Sequence, residues 1–280
     1  MVSLLKSVVL ETLEVTFIVF AMMVAVDIVN LWTRGKIANF LRRGKEWRQY
    51  FITSMIGAVP GCFGAFTNVS LYVHGMISFG ALTGAMAAAS GDEAFVMLAM
   101  FPKTALLLFA LLFVLGIIIG FVTDRLVAKM KIKTCQDCSE QLIHPLDGGF
   151  AHYLKEHVWH HIIKRHIWKT ALWTLGALLI VRVGMETWDL GSITSEYKLG
   201  LFLLAALIGL IPESGPHLIF VTMFANGLIP FSILFTSSFV QDGHGMLPML
   251  SFSVKDSIMI KVFNLSFGLI IGLVLFILGF

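Results

Sequence analysis

Charge is what this 280-residue chain has least of: 13 % of its positions are charged and 58 % are hydrophobic. An ordinary soluble domain carries roughly 25 % charged residues, so the composition excludes one. The sequence has no G-x-x-x-x-G-K-[ST] loop, which argues against direct ATP drive, and no H-E-x-x-H pair of the kind metalloproteases place on a helix. Its N-terminus has neither the basic start nor the small-residue cleavage site of a signal peptide, and Glu11 and Glu14 interrupt the apolar run; it reads as a retained first helix. A formal net charge of +3 says nothing about nucleic acid, and none is expected as a partner.

What is present is apolar sequence in long stretches, over residues 7–32, 50–89, 94–123, 167–188, 199–240 and 246–280. Each full crossing needs about 20 residues, and backbone polar groups in lipid force helices, so there is room for about eight to ten of them. The expected fold is all-α, a polytopic protein whose partners are the lipid bilayer and a transported ion. A multi-pass location in the inner (plasma) membrane follows, and a homo-oligomer is left open.

The chain also contains itself twice. Residues 57–120 lie over residues 209–272 at a constant offset of 152, and 15 of the 64 pairs are identical, where composition alone would give about a tenth. Gly57/Gly209, Pro60/Pro212, Gly75/Gly227, Phe79/Phe231, Gly91/Gly243, Lys103/Lys255, Gly116/Gly268 and Gly120/Gly272 all coincide. The organisation is therefore a first membrane repeat over 1–123, a Cys/His-containing connector over 124–166 and a second repeat over 167–280. Residues 33–48 hold Arg34, Lys36, Arg42, Arg43, Lys45 and Arg48 against Glu46 alone, and the connector is basic as well, so both are expected on the cytoplasmic side. The equivalent loop of the second half, 185–198, carries Glu186, Asp189 and Glu196 against Lys198 and is expected outside. The two repeats are thus expected to be inverted, with both termini external.

Each repeat is interrupted by the same punctuation: around Gly57 to Cys62, at His74-Gly75, at Ser90 to Glu93 and at Phe101 to Lys103, then at Gly209 to His217, Asn226-Gly227, Gln241 to Gly245 and Val254 to Asp256. Proline removes a donor and glycine relaxes the helix, and unwound backbone at membrane depth is tolerated only inside protein or against water. Such breaks, re-entrant or within a crossing, are where transporters bind ions. Residues 57–103 can be drawn either as two re-entrant hairpins or as two complete helices.

The candidate ligands are the polar groups beside these breaks: Glu213 and His217, Asp242 and His244, and Ser90, Asp92 and Glu93, with Asn68 added to the substrate-binding set. Mixed carboxylate and imidazole suits a borderline divalent metal such as manganese or zinc. The competing reading puts Asp92, Glu93, Asp242 and His244 in an aqueous loop. Lys103 and Lys255 form a symmetric pair inside apolar sequence, where a lysine costs about 2.5 kcal/mol or more unless it snorkels or pairs. They are read either as internal counter-charges to the site carboxylates or as direct ligands of an anion, with snorkelling to the interface as the structural alternative.

The stretches Ser90 to Ala105, Ile211 to His217 and Ser238 to Pro248 resemble the signature segments of the ten-helix heavy-metal exporter family, whose members are labelled manganese transporters or arsenic efflux proteins. The resemblance spans nearly the whole chain and implies a transporter. It leaves open whether the cargo is a metal cation or a metalloid.

In the connector, Cys135 and Cys138 form a C-x-x-C pair, and His157, His160 and His161 share a helical face. Together Cys135, Cys138, His157 and His161 are a candidate tetrahedral metal site, against an interfacial helix with incidental histidines. Cys62 reads as a small packing residue. Glu11 and Glu14, at i and i+3, are a candidate entry point for a proton or cation, and Asp27 with Arg182 a candidate structural salt bridge, against simple proximity to a membrane end for all three acids. Gly80 to Ser90 reads as a close-packing surface.

Three functions follow. The first is a secondary exporter of a divalent heavy metal such as manganese, working by alternating access with no required cofactor beyond a transported or regulatory metal. The second is an anion carrier using Lys103 and Lys255. The third is an intramembrane metalloenzyme with zinc on Glu213 and His217; the missing zincin motif and the duplication argue for carriage, and no enzyme is expected.

Overall fold

The computed structural model describes residues 46–91, 93–134, 198–213 and 215–280, with scattered positions between 5 and 40 and between 159 and 179. The described residues are helical, with no strand among them. In the first half, α1 spans Glu46–Gly57, α2 Phe63–Val73, α3 Phe79–Ala88, α4 Glu93–Met100 and α5 Pro102–Lys129. In the second, α6 spans Lys198–Ile208, α7 His217–Ala225, α8 Phe231–Val240, a 3-10 turn Gly243–Gly245, α9 Met246–Phe252 and α10 Val254–Ile277.

The offset of 152 governs the elements as it does the residues. α3 and α8 start at Phe79 and Phe231 and end at Ala88 and Val240, and α5 and α10 start at Pro102 and Val254. The turns repeat too. Gly75 and Gly227 have φ of 63° and 70°, and Gly91 and Gly243 have φ of 58° and 50°, left-handed backbone that a side chain resists and glycine adopts freely. This is why glycine sits at both copies of these two turns. The duplication read in the sequence is a structural one.

α5 and α10 have 28 and 24 residues, mean hydropathies of 3.1 and 2.3 in their most apolar windows, and lengths sufficient to cross a bilayer. Pro102 opens α5 where its missing N–H costs nothing, and Ser253 caps α10 by accepting from the Asp256 N–H. The other helices are too short to cross alone, and the contacts between them say how they are used.

In the first half, Asn68 on α2 donates to the Thr53 carbonyl on α1, so α2 returns alongside α1. The Ser78 N–H donates to Gln49 Oε1, which puts the start of α3 beside the start of α1. α1 and α2 therefore form a re-entrant hairpin that enters and leaves by one face, with its tip at Gly57 to Cys62. α3 descends from that same face. Asp124 near the end of α5 accepts from the Gly80 N–H at 2.7 Å, from Ser78 Oγ and from Tyr50 Oη at 2.9 Å, fixing the carboxylate at the helix N-terminus where the dipole favours it. α4 then continues against the first half of α5, where Ala94 and Met97 pack with Ala105, Leu108 and Leu112. Together α3 and α4 make one broken crossing. The pair of drawings left open for residues 57–103 resolves into one hairpin and one broken helix.

The two most enclosed helices are α3, every residue of which is buried, and α8, where only Phe231 is partly exposed, and they touch each other at the centre of the bundle. Close approach is built from small residues: a Cβ on Gly84 would collide with the Gly116 carbonyl of α5. Contacts between halves repeat in reverse, α4 packing on α7 as α9 packs on α2. At one end of the bundle Arg125 lies 3.4 Å from Glu46 at the start of α1, and Lys255 Nζ donates to the Lys133 carbonyl at 2.8 Å. The beginning of α10 thus lies beside the chain leaving α5.

Candidate functional site

The breaks converge. The Gly61 N–H, at the tip of the first hairpin, donates to the Gly91 carbonyl in the α3–α4 break at 2.9 Å. Across the halves, Cys62 Sγ lies 3.4 Å from His244 Nδ1, a Cβ on Gly245 would collide with Ala65, and the Gln241 amide oxygen lies against Gly91. The tip of one hairpin, the break of its own repeat and the break of the other meet here. In a helical membrane protein such freed backbone needs protein around it, and each break supplies the other's surroundings.

Most of the polar residues predicted from the sequence are buried in the bundle. Ser90, Glu93, Glu213, His217, Asp242 and His244 are all buried, as is Asn68 on α2. The aqueous-loop reading for Glu93, Asp242 and His244 therefore fails. Glu213 lies in the turn before α7, its carboxylate beside Gly215; His217 opens α7 and shares a hydrogen bond of 3.2 Å between Nδ1 and Ser237 Oγ on α8. Glu93 opens α4 and its carboxylate lies against Gly91. Asn68 belongs to the frame instead, its amide nitrogen bonded to the Thr53 and Gly64 carbonyls.

Asp242 is the most heavily engaged. It accepts from Asn264 Nδ2 at 2.9 Å and lies 2.7 Å from Lys261 Nζ, both on α10. Lys261 also donates to the Gly209 carbonyl at the end of α6, where the helix dipole favours a cation. Neither Lys261 nor Asn264 stands out by repeat symmetry, because their equivalents at the offset of 152 are Phe109 and Leu112. The signal that finds Lys261 is simpler: a lysine about two turns inside an apolar crossing is expensive unless paired there. Leaving one partner of such a buried pair unmatched costs about 3–5 kcal/mol.

Three expectations change. Lys103 and Lys255 are exposed, each at the second position of its long helix, and Lys255 is bonded to Lys133 rather than to a site carboxylate. A flexible four-carbon stem lets a lysine at a helix end turn outward, and this is the snorkelling alternative. The ammonium that lies against a buried carboxylate is that of Lys261. Second, the metal set Glu213, His217, Asp242 and His244 is not gathered into one cage: among the described residues, no three His, Cys, Asp or Glu side chains are placed to hold a metal. Lys261 and Asn264 hold Asp242, Ser237 holds His217 and Cys62 faces His244, so these side chains are turned to separate partners. Third, Cys62 is more than packing, since it makes that contact with His244. Asp92, the Cys135, Cys138, His157 and His161 set, Glu11, and the Asp27–Arg182 pair lie outside the described residues. Glu14 is exposed.

Several buried polar atoms at the junction have no hydrogen-bond partner among the described residues: Ser90 Oγ, His217 Nε2, both amide atoms of Gln241 and Asn264 Oδ1. Burying such groups unpaired is costly, and they are spare donors and acceptors in the middle of the bundle.

A duplicated, all-helical bundle whose interrupted helices meet around buried charge is a polytopic membrane transporter by architecture. A family model described as "Putative, 10TM heavy-metal exporter" matches residues 5–183 and 151–279, and the chain belongs to that family. No curated protein and no solved structure matches it. Family membership agrees with carriage rather than catalysis and with a membrane location.

Proposed function

We propose that the chain is a secondary active exporter of a divalent heavy metal such as manganese, working by alternating access in the inner (plasma) membrane. The observation that carries this reading is the convergence of the breaks on one buried junction holding Glu93, Glu213, His217, Asp242 and His244. Carboxylate with imidazole is the donor mixture a borderline divalent cation prefers over an alkali ion. No preformed cage is required of a carrier, whose ligands gather around cargo and part on release.

Alternating access follows from inversion of the two repeats, and one contact supports it. Lys255, at the start of α10, bonds to Lys133, just beyond the end of α5. A 28-residue helix is about 42 Å long, so equivalent helices running in the same direction would separate these residues by the thickness of the membrane. Running in opposite directions brings them together. Glu46 with Arg125 adds that the start of α1 shares this face, which, being rich in Arg48, Arg125, Lys129, Lys131 and Lys133, is the cytoplasmic one on charge. Two inverted halves give outward- and inward-open states of similar energy.

The anion reading loses its ligands, because Lys103 and Lys255 are exposed and Lys261 is already held by Asp242. The test is flux in sealed proteoliposomes against Mn, Zn, Fe, Co, phosphate, arsenate and selenite, with Glu213→Gln and Asp242→Asn beside the wild type. Divalent flux that falls at least about tenfold in both variants, the loss of about 1.4 kcal/mol of binding or more, is the expected outcome. Oxyanion flux untouched by either variant would sink the cation reading.

A further inference from the structure

The Asp242 carboxylate is fully buried, and both of its oxygens are taken, Oδ1 by Asn264 Nδ2 at 2.9 Å and Oδ2 by Lys261 Nζ at 2.7 Å. Around it the accounting is lopsided. Asn264 Oδ1 and the whole Gln241 amide, on residues that are 0 % exposed, have no hydrogen-bond partner among the described residues. An ammonium thus occupies the Asp242 carboxylate while neutral oxygens beside it stand idle. Those oxygens and the carboxylate are hard donors, the set a divalent cation would use if the ammonium moved aside. Lys261 is well placed to move: its side chain is 13 % exposed, its stem is flexible, and its second contact is with the Gly209 carbonyl just beyond the end of α6.

We propose that Lys261 is a tethered counter-cation: its ammonium neutralises Asp242 in the empty carrier and is displaced when the cargo cation arrives. This rests on the exporter reading above. Its consequence concerns the return stroke. An empty carrier with a bare buried carboxylate is trapped by the cost of moving an unpaired charge through low dielectric. With Lys261 in place the Asp242 carboxylate is neutralised in the empty carrier, which then reorients, so the protein performs net export rather than obligatory metal-for-metal exchange. Lys261 has no counterpart in the first repeat, where Phe109 stands at its position, so the device belongs to the second repeat.

The experiment compares wild type, Lys261→Gln and Lys261→Arg as purified full-length protein. Mn2+ binding is measured by calorimetry in detergent, and two fluxes in proteoliposomes: net Mn2+ efflux into metal-free buffer, and exchange against Mn2+ on both sides. If the ammonium occupies Asp242 about nine-tenths of the time, its removal tightens Mn2+ binding about tenfold in Lys261→Gln. Net efflux falls at least about tenfold, exchange persists, and Lys261→Arg recovers net efflux. Binding unchanged or weakened in Lys261→Gln, with both fluxes lost together, overturns the proposal and makes Lys261 a scaffold or a cargo ligand. The two levels separate cleanly. A wild type that neither binds nor moves a divalent metal ends the exporter reading and this inference with it. A wild type that moves metal beside a Lys261→Gln variant indistinguishable from it ends only the inference.

Discussion

Tyr72 and Phe79 meet edge to face with ring centroids 6.4 Å apart at 65°, and 152 residues later Phe224 and Phe231 meet at 6.4 Å and 67°. The duplication therefore reaches the packing of single side chains at the turn between hairpin and broken crossing. The copies then diverge by one hydroxyl. Tyr72 Oη donates to buried Asp256 Oδ2 at 2.7 Å, whereas Phe224 packs on Phe101 at 5.0 Å.

Removing that hydroxyl takes a donor from a buried carboxylate. Tyr72→Phe is expected to destabilise the protein by about 1–3 kcal/mol, seen as a lower unfolding midpoint in detergent. An unchanged midpoint would mean that Asp256 does not depend on Tyr72.

Labelling settles the direction of the long helices. In a background without native cysteines, Lys133→Cys and Lys255→Cys should react with an impermeant thiol reagent from the same face, and Lys103→Cys from the other. If Lys103→Cys and Lys255→Cys label from one face, the equivalent helices run the same way and the inversion is lost.

Sequence symmetry singles out Lys103 and Lys255, but both are exposed. Gln at either position is expected to leave metal flux within about twofold of wild type, as surface changes usually cost less than 0.5 kcal/mol. A tenfold loss in both would return them to the transport pathway.

The seam between α3 and α5 leaves no room at Gly84, where a Cβ meets the Gly116 carbonyl. Gly84→Ala is expected to cost about 1–3 kcal/mol through overpacking, read from the unfolding midpoint and from the yield of monodisperse protein. A neutral result would show that the two helices separate readily.

Much of this was legible beforehand because repetition is a strong signal. Shared glycines and prolines marked both copies of each break, and the buried junction residues Ser90, Glu93, Glu213, His217, Asp242 and His244 all sit beside them. What symmetry could not reveal was whatever the copies do not share. Lys261 and Asn264 stand opposite Phe109 and Leu112, so matched polar pairs do not reveal them. The reverse error came from Lys103 and Lys255, whose coincidence drew attention while their place at helix ends let them turn to the surface. Hairpin and crossing cannot be told apart by composition at α2, which is as apolar as a helix that spans; only contacts such as Asn68 with Thr53 fold it back on α1.

The α1–α2 hairpin and its copy at the offset of 152, α6 with α7, have an electrical consequence. Approaching from opposite faces under the proposed inversion, their tips leave a thin partition in which interrupted backbone meets buried charge. Where water fills the funnel on either side, the transmembrane voltage falls across that partition rather than across the full bilayer. A cation shifting a few ångströms there crosses most of the field, worth about 2.3 kcal/mol per elementary charge for each 100 mV. A small local displacement then does the electrical work of a full crossing.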